Sequence, residues 1–514
     1  MDQVDAVSIT PAGLTVDDVV GVARRGRLVA ISADSDDAMA RSHRTAAELI
    51  RGDRAVYGLS TGFGALADRY IPPERRAALQ IGLVRSHAAT VGDEVDVESV
   101  RAMMLLRAAT LAKGFSGVRP LLAHQIVGLL NGGFTPVVRE HGSLGCSGDL
   151  APLAHAALAL TGEGEVIGPG GGRGPAAAAL AELGLTPLVL EAKEGLALTN
   201  GTDGMLGILC LAYADTARLL RSAEVAAALS VEALLGTDQV FRPELAALRP
   251  HPGQAASAAN LMAVLRDSAV VASHKLHDTR VQDAYSLRCA PQVIGAARDT
   301  LDHVGGVIGR ELAAAIDNPV VLPDGRVSSC GNFHGAPLGY VADFLAIALA
   351  DVASIAERRT DRLLDPTRSH GLPAFLAADP GVDSGLMLAQ YSAAALVAEC
   401  RRLAVPASVD SIPTSAMQED HVSMGWAAAR KLRRAVEAVE RVVAIEVMTA
   451  ARAVEMRAPL APAPATAEVV RHLRTEVAGA GPDRYMAPEI DAVSAMVASG
   501  RIVEWAESVT GPLQ

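Results

Sequence analysis

The chain has 514 residues, of which 50% are hydrophobic and 20% charged, and its formal net charge is -12. That length and apolar content support a large core, arranged as more than one domain or as one large elongated one. The acidic balance argues against nucleic acid or an anionic membrane as a partner. Aromatic residues make up only 3% and alanine is abundant, which favours closely packed helices over sheet.

The N-terminal Met-Asp-Gln-Val-Asp-Ala-Val lacks a basic region followed by an apolar run, so no secretory signal is read there. No apolar run is expected to span a membrane; even Tyr340 to Ala356 contains Asp343 and Asp351. The five cysteines (Cys146, Cys210, Cys289, Cys330 and Cys400) are odd in number, widely spaced and free of Cys-x-x-Cys pairs. They read as reduced cytosolic thiols, neither a disulfide framework nor a zinc site, and the expected location is cytoplasmic.

In chain order, Thr15-Val-Asp-Asp predicts a capped helix, and a second helix is expected at about 36–51. Residues 56–64, Val-Tyr-Gly-Leu-Ser-Thr-Gly-Phe-Gly, hold too much glycine for a regular element and form a presenting loop. The Gly62-Phe63-Gly64 run imitates a dinucleotide fingerprint, but no βαβ unit surrounds it, so no nucleotide is expected. Helices follow at about 73–89, 97–113 and 119–131. Residues 162–175 read as a flexible, solvated surface loop. Beyond Asn200 the helical spans lengthen, at about 203–235, 293–315, 336–363, 385–403 and 424–456. In the last, Leu432, Val436, Val439, Val443 and Val447 keep three-four spacing. Spans this long predict a central bundle, with a soft domain boundary near residue 200 separating 1–200 from 201–514.

The densest chemistry sits in residues 141–155, His-Gly-Ser-Leu-Gly-Cys-Ser-Gly-Asp-Leu-Ala-Pro-Leu-Ala-His. In a compressed turn the Gly148 amide nitrogen can attack the Cys146 carbonyl carbon and close a five-membered ring with loss of water. Loss of a second water from Ser147 leaves an exposed methylidene, and the product, a methylidene-imidazolone, is a strong electrophile. Glycine permits the close backbone approach and serine supplies the leaving hydroxyl. Cys146 lends only its carbonyl. A plain reading also fits Ser-Gly alone, because such turns are common and Asp149 is a good N-cap for an apolar helix.

The whole stretch closely resembles the signature of the histidine and phenylalanine ammonia-lyases, with Cys146 where alanine is commoner. Four further stretches match that family in order: 57–64, 194–202 (Glu-Gly-Leu-Ala-Leu-Thr-Asn-Gly-Thr), 282–289 (Gln-Asp-Ala-Tyr-Ser-Leu-Arg-Cys) and 418–423 (Gln-Glu-Asp-His-Val-Ser). The resemblance implies a mainly α, fumarase/aspartase-like fold in which a smaller N-terminal domain carries active-site loops beside a long-helix bundle. It also implies a homotetramer whose sites combine loops from neighbouring subunits. The cofactor implied is the methylidene-imidazolone made from Cys146-Ser147-Gly148, with no metal and no nucleotide.

By the same resemblance Tyr57 is the base for the β-proton, although a free tyrosine has a pKa of about 10 and needs neighbours that lower it. Arg288 is placed to hold the substrate carboxylate, since a guanidinium matches that group bidentately. Asn200, Gln282 and Tyr285 resemble polar groups around the prosthetic group and substrate, and Phe333 resembles a pocket-lining residue. Each has a plain alternative: a structural ion pair for Arg288, core packing for Phe333, backbone hydrogen bonding for Tyr57.

Ser86-His87 resembles the histidine-specific branch, and Glu419 stands where aromatic-specific relatives usually carry glutamine. Together they imply conversion of L-histidine to trans-urocanate and ammonia. A tyrosine or phenylalanine ammonia-lyase, an aminomutase or an inactive helical scaffold are the rivals. Ser60 and Met417 stand where the family pattern has asparagine, Asp203 where it has glutamine, and Gly335 where it has alanine.

Overall fold

The computed structural model describes residues 6–50, 61, 62, 66, 69–275, 278 and 280–514. The loop residues Tyr57, Ser60, Phe63 and Gly64 lie outside them. The chain divides into two compact units: residues 1–211, 305–343 and 406–430 form the first, and 212–304, 344–405 and 431–514 the second. As its composition predicts, the protein is mainly helical.

In the first unit, short strands β1 (Val7–Ile9) and β2 (Val29–Ile31) pair in parallel around helix α1 (Val16–Arg24). Thr15 caps α1 in a capping box: its hydroxyl accepts from the Asp18 N–H, and the Asp18 carboxylate accepts from the Thr15 N–H. Helices α2 (Ala33–Ile50), α3 (Arg76–His87), α4 (Val97–Ala112) and α5 (Leu121–Asn131) fall close to the expected spans, and α6 (Leu150–Leu160) follows Asp149. Helix α4 is buried on almost every side, Arg101 and Arg107 included, which makes it the centre of this core.

The expected flexible loop at 162–175 is instead ordered structure. Strands Glu165–Ile167 and Arg173–Pro175 pair antiparallel, and the first also pairs with Thr135–Pro136. Gly168 donates its N–H to the Gly172 carbonyl at 2.7 Å and closes the connection between them. Each strand has three residues at most, too short for alternation to be read from sequence.

The long helices occur as Asp203–Ala233, Ala290–Ala313, Ala336–Leu364, Met387–Leu403 and Gly425–Glu455. Within the second unit Glu446 brings three of them together: it accepts from Arg359 Nε (2.5 Å) and Nη2 (2.8 Å) and from Ser230 Oγ (2.7 Å). Leu432, Val436, Val439, Val443 and Val447 are all buried, as their spacing requires.

One helix corrects the expectation about apolar runs. Ala336–Leu364 is long and apolar enough to cross a membrane by length and composition, but more than half of that stretch is buried in the fold. Asp343 is folded into the protein, where its carboxylate accepts the Ser408 N–H at 2.8 Å. The apolarity is that of a core helix.

Candidate functional site

The first unit holds a cavity of about 720 Å3 whose lining includes His87, Ser147, Asn200, Asn318, Ser415 and Glu419. Four residues singled out from sequence, scattered over more than 300 positions, therefore share one space.

Gly148 has φ +73°, and an added Cβ would run into the Gly201 backbone, so no other residue fits this position. The Asp149 N–H donates to the Gly201 carbonyl at 2.7 Å. The Asp149 side chain does not cap its own helix, as the plain reading of the turn had it. Its Oδ1 accepts from Ser143 Oγ at 2.8 Å, and its Oδ2 accepts from the Met205 N–H at 2.8 Å, in the first turn of Asp203–Ala233. It thus clamps the 143–149 turn to the start of a second helix. Burial pushes the Asp149 carboxyl up to about 7 against these hydrogen bonds. The turn thus demands glycine at 148 and is tied down on both sides, and the encoded residues fit a methylidene-imidazolone.

Glu419 lies against the turn. Its Oε2 accepts from Cys146 Sγ at 3.2 Å and from Thr414 Oγ1 at 2.8 Å, and its Oε1 accepts from Ser147 Oγ at 3.3 Å. Burial and the Glu419 charge push the Cys146 thiol up to about 12. The intervening Ser415, Ala416 and Met417 all have positive φ, a strained run for residues with side chains.

His87 ends helix α3. Ser86 Oγ donates to the Leu83 carbonyl at 3.0 Å and also contacts His87 Nδ1 at 3.0 Å. Because the hydroxyl proton is used on Leu83, the pattern assigns the imidazole proton to Nδ1 and leaves Nε2 as an acceptor. Burial lowers the His87 pKa, partly offset by the Leu83 carbonyl and the Glu419 charge.

Asn200 is held from behind. Its Nδ2 donates to the Asn318 carbonyl at 3.0 Å, and its own carbonyl accepts from Arg107 at 2.9 Å. Its Oδ1 is buried and has no hydrogen-bond partner among the described residues. Lys193 and Asp317, both fully buried, pair at 2.6 Å beside Asn318. A buried amide oxygen left open while its neighbours are satisfied is a group waiting for a donor.

Gln282, Tyr285 and Arg288 belong to the second unit. The Arg288 guanidinium lies 4.6 Å from the Tyr285 ring centre, Tyr285 is 71% exposed, and Arg288 Nε is buried with no partner among the described residues. Phe333 is half-buried in the first unit and is not among the residues lining the cavity. Two of the departures from the expected pattern, Gly335 and Asp203, have local causes. A Cβ at Gly335 would strike the Met205 thioether, and Asp203 pairs with Arg107 at 3.2 Å while accepting from Thr110. Sequence reading missed Tyr70, Asn318, Thr414 and Ser415. Asn318-Pro319 is a visible turn signal, and Thr414-Ser415 stand two residues before the 418–423 motif.

Residues 14–475 match the model of the aromatic amino acid lyases. The chain belongs to that family. A histidine ammonia-lyase of Streptomyces coelicolor is 60% identical over 509 residues, which cover 99% of each chain. Among solved structures, a tyrosine aminomutase from Streptomyces globisporus superposes with a TM-score of 0.93 at 37% identity, covering 99% of this chain and 100% of that one. A histidine ammonia-lyase from Trypanosoma cruzi gives 0.90 at 37%, covering 98% and 95%. The fold of this aromatic amino acid lyase is thus common to lyases and aminomutases, and its substrate must be read from the lining of the cavity.

Proposed function

We propose that this protein is a carbon-nitrogen lyase that eliminates ammonia from L-histidine to give trans-urocanate. The observation that carries the reading is the cavity that gathers His87 and Glu419 about Ser147. Full-length relatedness at 60% identity to a histidine ammonia-lyase supports it.

The His87 Nε2 and the Glu419 carboxylate give the pocket two hydrogen-bond acceptors. An imidazolium brings two N–H donors to such a site, a phenol can satisfy one acceptor, and a phenyl ring satisfies neither. A site built around hydrogen bonds rejects an analogue lacking them by roughly 10^4-fold, because its polar groups are left unpaired. Burial lowers the His87 pKa, which favours the neutral ring with Nε2 as an acceptor.

Once formed from Cys146-Ser147-Gly148, a methylidene-imidazolone would supply an electrophilic carbon that makes the substrate nitrogen a better leaving group. The chain's residues do the rest. Tyr57 takes the β-proton, Arg288 holds the carboxylate bidentately, and Asn200, Gln282 and Tyr285 orient the amine and the electrophile. The family resemblance makes Phe333 a pocket-lining residue of the assembled enzyme. We place residues 1–200 as the domain that carries the prosthetic turn, and the enzyme as a cytoplasmic homotetramer. The exposed Tyr285 supports an assembly in which loops of several subunits complete one site.

The test is ultraviolet detection of conjugated product from L-histidine, L-tyrosine and L-phenylalanine in separate reactions, with intact mass measured on the same sample. Urocanate from histidine alone, and a mass short of the encoded chain by two waters, are expected. Product from tyrosine or phenylalanine would overturn the substrate assignment, and an unmodified mass would overturn the mechanism.

A further inference from the structure

The two oxygens of Glu419 are not equivalent. Oε2 has two donors, Cys146 Sγ at 3.2 Å and Thr414 Oγ1 at 2.8 Å. Oε1 has the Ser147 hydroxyl at 3.3 Å. That hydroxyl leaves as water, together with the Ser147 α-hydrogen, when the methylidene forms. The donors of Oε2 belong to side chains that the ring-forming chemistry does not consume.

Thr414 is itself fixed to Glu419 through the backbone. Its N–H donates to the Glu419 carbonyl at 2.9 Å, and the Glu419 N–H donates to the Thr414 carbonyl at 3.3 Å. This bridge spans the strained left-handed run of Ser415, Ala416 and Met417. A β-branched threonine also has a stiff χ1, so its hydroxyl is a fixed donor.

We propose that Cys146 and Thr414 are positioning residues that pin Glu419 Oε2, so that maturation of the Cys146-Ser147-Gly148 turn frees Oε1 alone for the N–H of the substrate imidazole. This rests on the reading of Glu419 as a substrate-binding acid. Cysteine at the first ring position is then more than a source of a carbonyl. An alanine methyl there offers Glu419 no donor. The half-buried thiol is pushed up to about 12, which favours the S–H donor at neutral pH. S–H is a weaker donor than a hydroxyl, so Thr414 carries the larger share.

The test uses Cys146→Ala, Thr414→Val and Thr414→Ser, each in the wild-type and in the Glu419→Ala background. Intact mass first establishes that each variant has lost two waters. Steady-state constants for L-histidine and calorimetric Kd for imidazole are then measured. Thr414→Val is expected to raise both KM and the imidazole Kd about tenfold, and Cys146→Ala about threefold, with kcat changing less than KM. Thr414→Ser should stay near wild type, and both effects should vanish in the Glu419→Ala background. If Glu419→Ala weakens binding while Cys146→Ala and Thr414→Val do not, the positioning role is wrong and the reading of Glu419 survives. If Glu419→Ala itself changes neither constant, that reading fails and the proposal with it. Effects that persist without the Glu419 carboxylate would also overturn the proposal, since the two residues would then act by another route.

Discussion

Two regions of this molecule bury charge, and they do so in opposite ways. In the second unit, Arg359 and Glu446 have no solvent exposure, and three donors from Arg359 and Ser230 converge on the two Glu446 oxygens; Arg359 Nη1 also donates to the Ser286 carbonyl. Around Ser147 the bonding is left open: Asn200 Oδ1 lacks a donor among the described residues, and three consecutive residues with side chains sit at positive φ. A buried network that satisfies every group holds helices together; one left incomplete and strained is set up for a ligand or a reaction.

The largest effect that would sharpen this contrast comes from Ser147→Ala. It removes the hydroxyl that must leave, so turnover of L-histidine is expected to fall by more than about 10^3-fold, on the scale seen when a covalent catalyst is deleted. The urea midpoint should hardly move, since the lost hydroxyl makes one 3.3 Å contact. Turnover that survives the substitution, measured with intact mass, would mean that the open region is not the reactive one.

Arg359→Met tests the closed region in reverse. Removing one partner of a buried pair leaves Glu446 uncompensated, and a loss of about 3–5 kcal/mol in chemical denaturation is expected. The two-water mass deficit should persist in the folded protein. A loss below about 1 kcal/mol would show that this network is not what joins the helices.

How these regions were read from sequence differs for the same physical reason. The long helices were legible because Leu432, Val436, Val439, Val443 and Val447 repeat within a single element. The partners of Glu446 were not, since Arg359 and Ser230 are 87 and 216 positions away and carry no local signal. In the site, residue types pointed to the turn at 146–148 and to His87 and Glu419. The Asp149 clamp was invisible because its partner, the Met205 N–H, is 56 residues on, while the adjacent apolar helix suggested a cap. The strands within 162–175 escaped because their pairing is set by tertiary contact and a glycine connection.

Asp149 gives the open region a pH dependence of its own. Its ordinary unfolded value is about 3.9, and burial pushes the folded value up to about 7. The native state therefore binds the extra proton between about pH 4 and 7, so stability from this group is fully present below that window and declines as pH rises through it. Asp149→Asn should flatten the difference in unfolding free energy between about pH 4.5 and 7 by roughly 1–3 kcal/mol. Parallel stability profiles for wild type and variant across that range would show that the buried carboxyl does not titrate there.

The smallest expected effect separates strain that serves the site from strain that does not. Met417 holds φ +70° while its side chain is 66% exposed, so its side chain gains little from packing to offset the conformation. Asparagine tolerates the left-handed region better. Met417→Asn should raise stability by about 0.5–1 kcal/mol, read as a higher melting temperature, with KM for L-histidine unchanged. Thr414 and Glu419 are held to each other by two backbone hydrogen bonds that the substitution leaves in place. A rise in KM alongside the gain in stability would mean that the strain of the turn, and not the Thr414 bridge, sets the position of the Glu419 carboxylate.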